Sequence, residues 1–174
     1  MFAEVGKDSV GFIRMVQIIL KVSPRRITLK DIEQAIMLSE GSVKDKLIEI
    51  YIKKTLFALK VNDPIKPIIK SYKAYNHVVD ILEKFNLSQR MRDKLKELAY
   101  HLMIKAIEYY KMTKNCKESV LAIQFALRVA HLSQSPDIIM KSLYNAGVMM
   151  ISCGMKAIGK EYIERAKKYK KELK

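Results

Sequence analysis

Between Pro67 and Pro136 the chain contains neither glycine nor proline. A segment that long without a breaker cannot supply the tight turns that hairpins and sandwiches need. Its apolar residues recur instead at spacings of three and four, the period of a helix face. Over the whole chain there are only 6 Gly and 4 Pro. The pattern predicts an all-α protein.

Helix boundaries follow from local signals. Val10, Ile13, Val16, Gln17 and Leu20 mark a first helix from Ser9 to Val22, too apolar for a surface position. Ser23-Pro24 stops it, because proline cannot continue the hydrogen-bond ladder. Thr28 is a good N-cap, with Asp31 placed where its charge suits the helix dipole. A short helix from Leu29 to Met37 follows, then a break at Ser39-Glu40-Gly41-Ser42, then a third helix carrying Val43, Leu47, Ile50, Tyr51 and Leu56. Asp63-Pro64 to Pro67 reads as a linker, followed by a helix from Ile68 to Phe85. Ser88 caps a long fifth helix, Asn115 and Lys117 mark its end, and an apolar sixth helix starts near Ser119. Ser135-Pro136 opens a seventh, with proline at the first helical position. Gly147 and Gly154 weaken the segment from Ile139 to Met155, and Ala157–Leu173 closes the chain as a basic helix.

Charge narrows the function. The chain carries 33 Lys and Arg against 18 Asp and Glu, a net +15. Solubility needs less, and the usual partners of such a surface are nucleic acid or an anionic membrane. A Lys-rich proteome would give the same excess. No apolar stretch spans a bilayer, since Arg14, Gln17 and Lys21, or Gln124 and Arg128, interrupt the longest ones. The N-terminus lacks the parts of a signal peptide. The expectation is a soluble, intracellular protein with no membrane partner.

Catalytic motifs are missing. There is no Gly-rich phosphate loop, no H-E-x-x-H and no evident nucleophile–base pair. His77, His101 and His131 are scattered, and Cys116 and Cys153 do not form a C-x-x-C pair. Neither enzyme activity, a metal nor a cofactor is expected. Pairing of the two cysteines stays open.

Two segments share a grammar. Gly6-Lys7-Asp8-Ser9-Val10 reads like Cys116-Lys117-Glu118-Ser119-Val120. Each opens an apolar helix, then a Pro-containing turn, a capped helix, a Gly-containing break at Gly41 or Gly154, and a basic helix. Duplication is the simplest account.

Two stretches could contact DNA. Thr28 to Ile52 has the helix-turn-helix layout: a short capped helix, a small break and a second helix with polar residues in its first turn. Ser39, Ser42, Lys44 and Lys46 fall at or near that start, where hydroxyls and ammonium groups can reach bases and phosphates. Val43 could touch a thymine methyl or fill core. From Lys156 to Lys174 there are seven Lys and one Arg against three Glu. Lys156 and Lys160 are its candidate phosphate contacts. A helical hairpin with a solvated face, or a frayed C-terminal helix, would have the same composition.

These residues also resemble a family. Val5-Gly6-Lys7-Asp8-Ser9-Val10-Gly11-Phe12 is similar to the G-K-D-P-x-G-L entry of the second cyclin repeat of archaeal transcription factor B, kin to eukaryotic transcription factor IIB. Ile27-Thr28-Leu29-Lys30-Asp31-Ile32 resembles its x-T-Q-K-D-I-A run, and Ser39 to Leu47 resembles its T-E-V-T-V-R-N-R-Y reading helix. The resemblance covers about residues 5 to 57; Val79 to Ser88 matches more loosely the first helix of a further repeat. It implies a trihelical helix-turn-helix unit over residues 1–60, a linker at 61–69 and a five-helix cyclin-like domain over 70–174. It implies double-stranded DNA as partner, with Ser39, Ser42, Val43, Lys44 and Lys46 on the reading helix and Lys7 near the DNA backbone. TATA-binding protein or another transcription protein would be a second partner, and the location cytoplasmic, with the nucleoid. The family's zinc ribbon and the first two helices of its first repeat are not in this sequence. A transcriptional regulator without polymerase recruitment is therefore expected. The bulky central helix would need cover from the second domain or from another copy in a homodimer.

A rival reading is an all-helical protein-interaction module with no specific DNA binding, either cyclin-like, holding a protein partner in its hydrophobic groove, or tetratricopeptide-like. Leu143-Tyr144-Asn145-Ala146-Gly147, followed by Gly154 and Ala157, resembles one tetratricopeptide unit. A solenoid needs about three such units, and fewer than two are found.

Overall fold

The structure, a computed structural model, describes residues 28–173. Among these residues there are eight α-helices and no strand. Lys7 and the helix expected from Ser9 to Val22 lie outside the described residues. The chain divides into two compact units between Phe57 and Ala58.

In the first unit, α1 spans Leu29–Leu38 and α2 spans Gly41–Thr55. Thr28 and Asp31 form a reciprocal cap. The Thr28 hydroxyl accepts from the Asp31 N–H at 3.2 Å, and the Thr28 N–H donates to the Asp31 carboxylate at 3.1 Å. Two orphan donors are satisfied at once. Ile32, Ala35 and Ile36 form the buried stripe of α1, facing Leu47, Ile48, Tyr51 and Ile52 of α2. Across this seam Tyr51 Oη donates to Glu33 Oε1 at 2.7 Å. Burial, reinforced by that carboxylate, raises the Tyr51 phenol far above its usual range.

The second unit contains α3 (Ile65–Lys70), α4 (Tyr72–Glu83), α5 (Gln89–Thr113), α6 (Cys116–Ser133), α7 (Pro136–Ser152) and α8 (Lys156–Glu172). Here the structure corrects two expectations. The segment read as the end of a linker is helical, and it buries Ile65 and Ile68. The helix expected from Ile68 to Phe85 is broken at Ser71, whose φ of −123° and ψ of 38° leave the helical region. The two pieces can then pack separately on α6.

Helices α5 to α8 pack in succession, α5 on α6, α6 on α7, and α7 on α8. Helix α7 also reaches α5, so it lies across the preceding pair. Helix α6 is the most enclosed. Ala122, Ala126 and Ala130 let neighbours approach, while Ile123, Phe125 and Val129 fill the space between them. Tyr75 of α4 meets Phe125 edge-on, with ring centroids 5.8 Å apart. Arg128 projects from α6 and holds α4, donating to Asn76 Oδ1 and Asp80 Oδ1 at 2.7 Å and to Glu83 Oε1 at 3.0 Å. Burial disfavours its charge, but the Asp80 and Glu83 carboxylates outweigh that and raise its pKa.

Two features fix α7. It crosses α8 at glycines. A Cβ added to Gly147 would stand 2.6 Å from the Gly159 carbonyl oxygen, and one added to Gly159 would stand 2.6 Å from the Gly147 oxygen. No larger residue permits that approach. A disulfide joins Cys116, at the start of α6, to Cys153, just after α7, with Cα atoms 5.7 Å apart. The pairing left open by the sequence is thus present.

Candidate nucleic-acid interface

The sequence nominated the start of α2, and its geometry follows from the break before it. The Ser39 N–H and hydroxyl both donate to the Ile36 carbonyl oxygen, at 3.3 and 3.1 Å, closing α1. Gly41 then takes φ +62°, a region that residues with a Cβ rarely enter, and starts α2. The chain thereby passes between the two helices in a few residues.

The sequence-nominated residues are placed as follows. Ser42, Val43 and Lys46 are exposed within the first two turns of α2, and Lys44 between them is half-buried. Val43 is 36% exposed, and the fully buried residues of α2 begin at Leu47. Ser39 is placed otherwise than expected. It is 3% exposed and its hydroxyl is spent on Ile36, so it shapes the turn and is not offered to a ligand. The pattern "polar residue in the break" could not separate these roles.

Two nearby cations lie outside the helix start that the sequence pattern marks. Lys30, in the first turn of α1, and Lys53, in the last turn of α2, are exposed cations of the same unit. Lys30 stands inside the Thr28–Ile32 run, so the signal was there. Glu40 and Asp45 are exposed beside Ser42 and Lys46. Carboxylates there repel phosphate and accept from cytosine amino groups, which restricts the duplex that would fit.

Lys156 and Lys160 belong to the second unit. Both are exposed, one turn apart at the start of α8. The rest of α8 is dense in charge. Lys167 donates to Glu164 at 2.7 Å and holds that carboxyl below its usual range, and Arg165 lies over the Tyr162 ring at 5.3 Å.

Comparison of the chain with protein-family models, curated proteins and solved structures finds no match. Among the described residues no cluster of three or more His, Cys, Asp or Glu is arranged to hold a metal ion. No described helix is long and apolar enough to cross a membrane.

Proposed function

We propose that this chain binds double-stranded DNA through the α1–α2 pair and acts in transcriptional regulation. One observation carries the reading: Ser42, Val43 and Lys46 stand exposed on the first turns of a helix whose start is fixed by a glycine break after a capped helix. In this reading α2 enters the major groove. Ser42 and Lys46 supply hydrogen bonds to base edges or phosphates, Val43 supplies apolar contact to a thymine methyl, and Lys44 pairs with the backbone. Lys30 and Lys53 add phosphate contacts, as Lys156 and Lys160 do from the second unit. The net charge of +15 speeds encounter with DNA but confers no sequence preference. The α1–α2 hairpin supplies that preference.

Selection from random duplexes, followed by binding measurements across a salt series, tests the reading. The expected result is a recurring duplex motif. Binding should weaken steeply as salt rises, and Lys44→Ala with Lys46→Ala should lose the preference for the motif while keeping salt-dependent binding. Binding no tighter than that of an unrelated protein of equal charge overturns it.

A further inference from the structure

We infer that the groove between α7 and α8 is a docking site for an acidic amphipathic helix of a partner protein. Its lining residues are distinct from those of the DNA reading above, whose Lys156 and Lys160 stand at the start of α8. The groove encloses about 350 Å³. Met140 and Tyr144 of α7 and Ile163 and Ala166 of α8 line its apolar floor. Tyr144 is 53% exposed, although a tyrosine that finds cover is normally well buried. Lys141, Lys167 and Lys170 stand along its edges.

The shape of the occupant follows from the way this unit covers its other hairpin. Helices α5 and α6 pack as a pair, and α7 lies against both of them. It presents Ile138, Ile139, Leu143 and Ala146, all buried. The α7–α8 hairpin offers a groove of the same kind, and among the described residues of this unit no helix lies across it. A groove between two packed helices receives a third helix, read as apolar anchors three and four residues apart.

The charge of the occupant follows from the rim. Among the described residues, Lys141 and Lys167 pair with exposed carboxylates on their own helices, Asp137 at 3.5 Å and Glu164 at 2.7 Å. Such pairs are weak and exchange readily for a better-placed partner. Carboxylates flanking the apolar stripe of a docked helix would meet three ammonium groups. A second copy of this chain is a poor occupant, because two molecules of net charge +15 repel. DNA is a poor occupant as well, because its phosphates gain nothing from an apolar floor.

The test is selection from a displayed library of amphipathic helical peptides. Their apolar stripe is fixed and their flanking positions are free to be Glu, Lys or Gln. The full chain is the target, and selected peptides are measured by fluorescence anisotropy. Glu-flanked sequences should be enriched. Tyr144→Asp should weaken their binding at least tenfold while leaving the circular dichroism spectrum and DNA affinity unchanged. Lys167→Glu with Lys170→Glu should reverse the preference toward Lys-flanked peptides. Three results overturn the inference: no enrichment, enrichment indifferent to flanking charge, or binding that survives Tyr144→Asp. Self-association of the wild-type chain in sedimentation that Tyr144→Asp abolishes also overturns it, since the occupant would then be a second copy.

Discussion

Replacing Gly147 by alanine inverts the usual rule for a helical glycine. In an open helix interior this change stabilises by about 1 kcal/mol, because alanine is the better helix former. At Gly147 the new Cβ would lie 2.6 Å from the Gly159 carbonyl oxygen and 2.8 Å from Ile163 Cγ1. Ile163 could rotate, but the carbonyl belongs to the backbone of α8, so relief requires the helices to separate. Overpacking of this kind costs about 1–3 kcal/mol, with values at the upper end where backbone must move. Subtracting the propensity gain leaves a net loss of about 1–2 kcal/mol. For a chain of this size, that lowers the melting temperature by about 2–8 °C. Urea unfolding followed by circular dichroism measures it. A Gly147→Ala protein as stable as wild type, or more so, would refute the close approach of α7 and α8. Gly159→Ala should behave alike, and the two losses should not add, because either one already separates the pair.

Three further outcomes are expected. Cys153→Ser opens a loop of 37 residues, and the chain-entropy relation assigns that closure about 4 kcal/mol, to be read as a lower urea midpoint that reductant reproduces in the wild type. Thr28→Ala removes the α1 cap and should cost about 1 kcal/mol, localised by faster amide exchange in the first turn of α1. His131 is held below its usual pKa of 6.5, first by burial and then by the Arg165 charge. The unfolded chain therefore protonates first. The His131 contribution to stability should be constant above about pH 7, fall as pH drops through 6.5 and level off below the folded value, and His131→Gln should flatten that step in urea midpoints measured across pH.

What could be read from the sequence is what depends on neighbours in the chain. Thr28 with Asp31, Ser88, and Pro136 at the first position of α7 are local devices, and each stands at the helix start it marks. Asn115 marks a break in the sequence pattern, yet its side chain accepts from the Glu118 N–H at 3.1 Å and starts α6 several residues before Ser119. Features that depend on distant residues were not legible. Gly147 looked like a weak point in a helix because nothing near it in sequence announces Gly159 across the crossing. Arg128 looked like an interruption in an apolar run, whereas it pairs with α4 from 48 residues away. Within the candidate site, the helix–break–helix layout was legible from spacing. The inward turn of Ser39 was not, because it depends on where a single hydroxyl points.

The Cys116–Cys153 link also bears on the molecule under load. A chain drawn out by its ends would pay out every residue of its unfolded length except those inside the covalent ring. About 130 Å of extension is thereby withheld, from 37 residues at close to 3.5 Å each. Under tension α6, α7 and the turn between them stay slack inside that ring, and force passes directly from the head of α6 to the turn before α8. A reductant would return the hidden length in a single step.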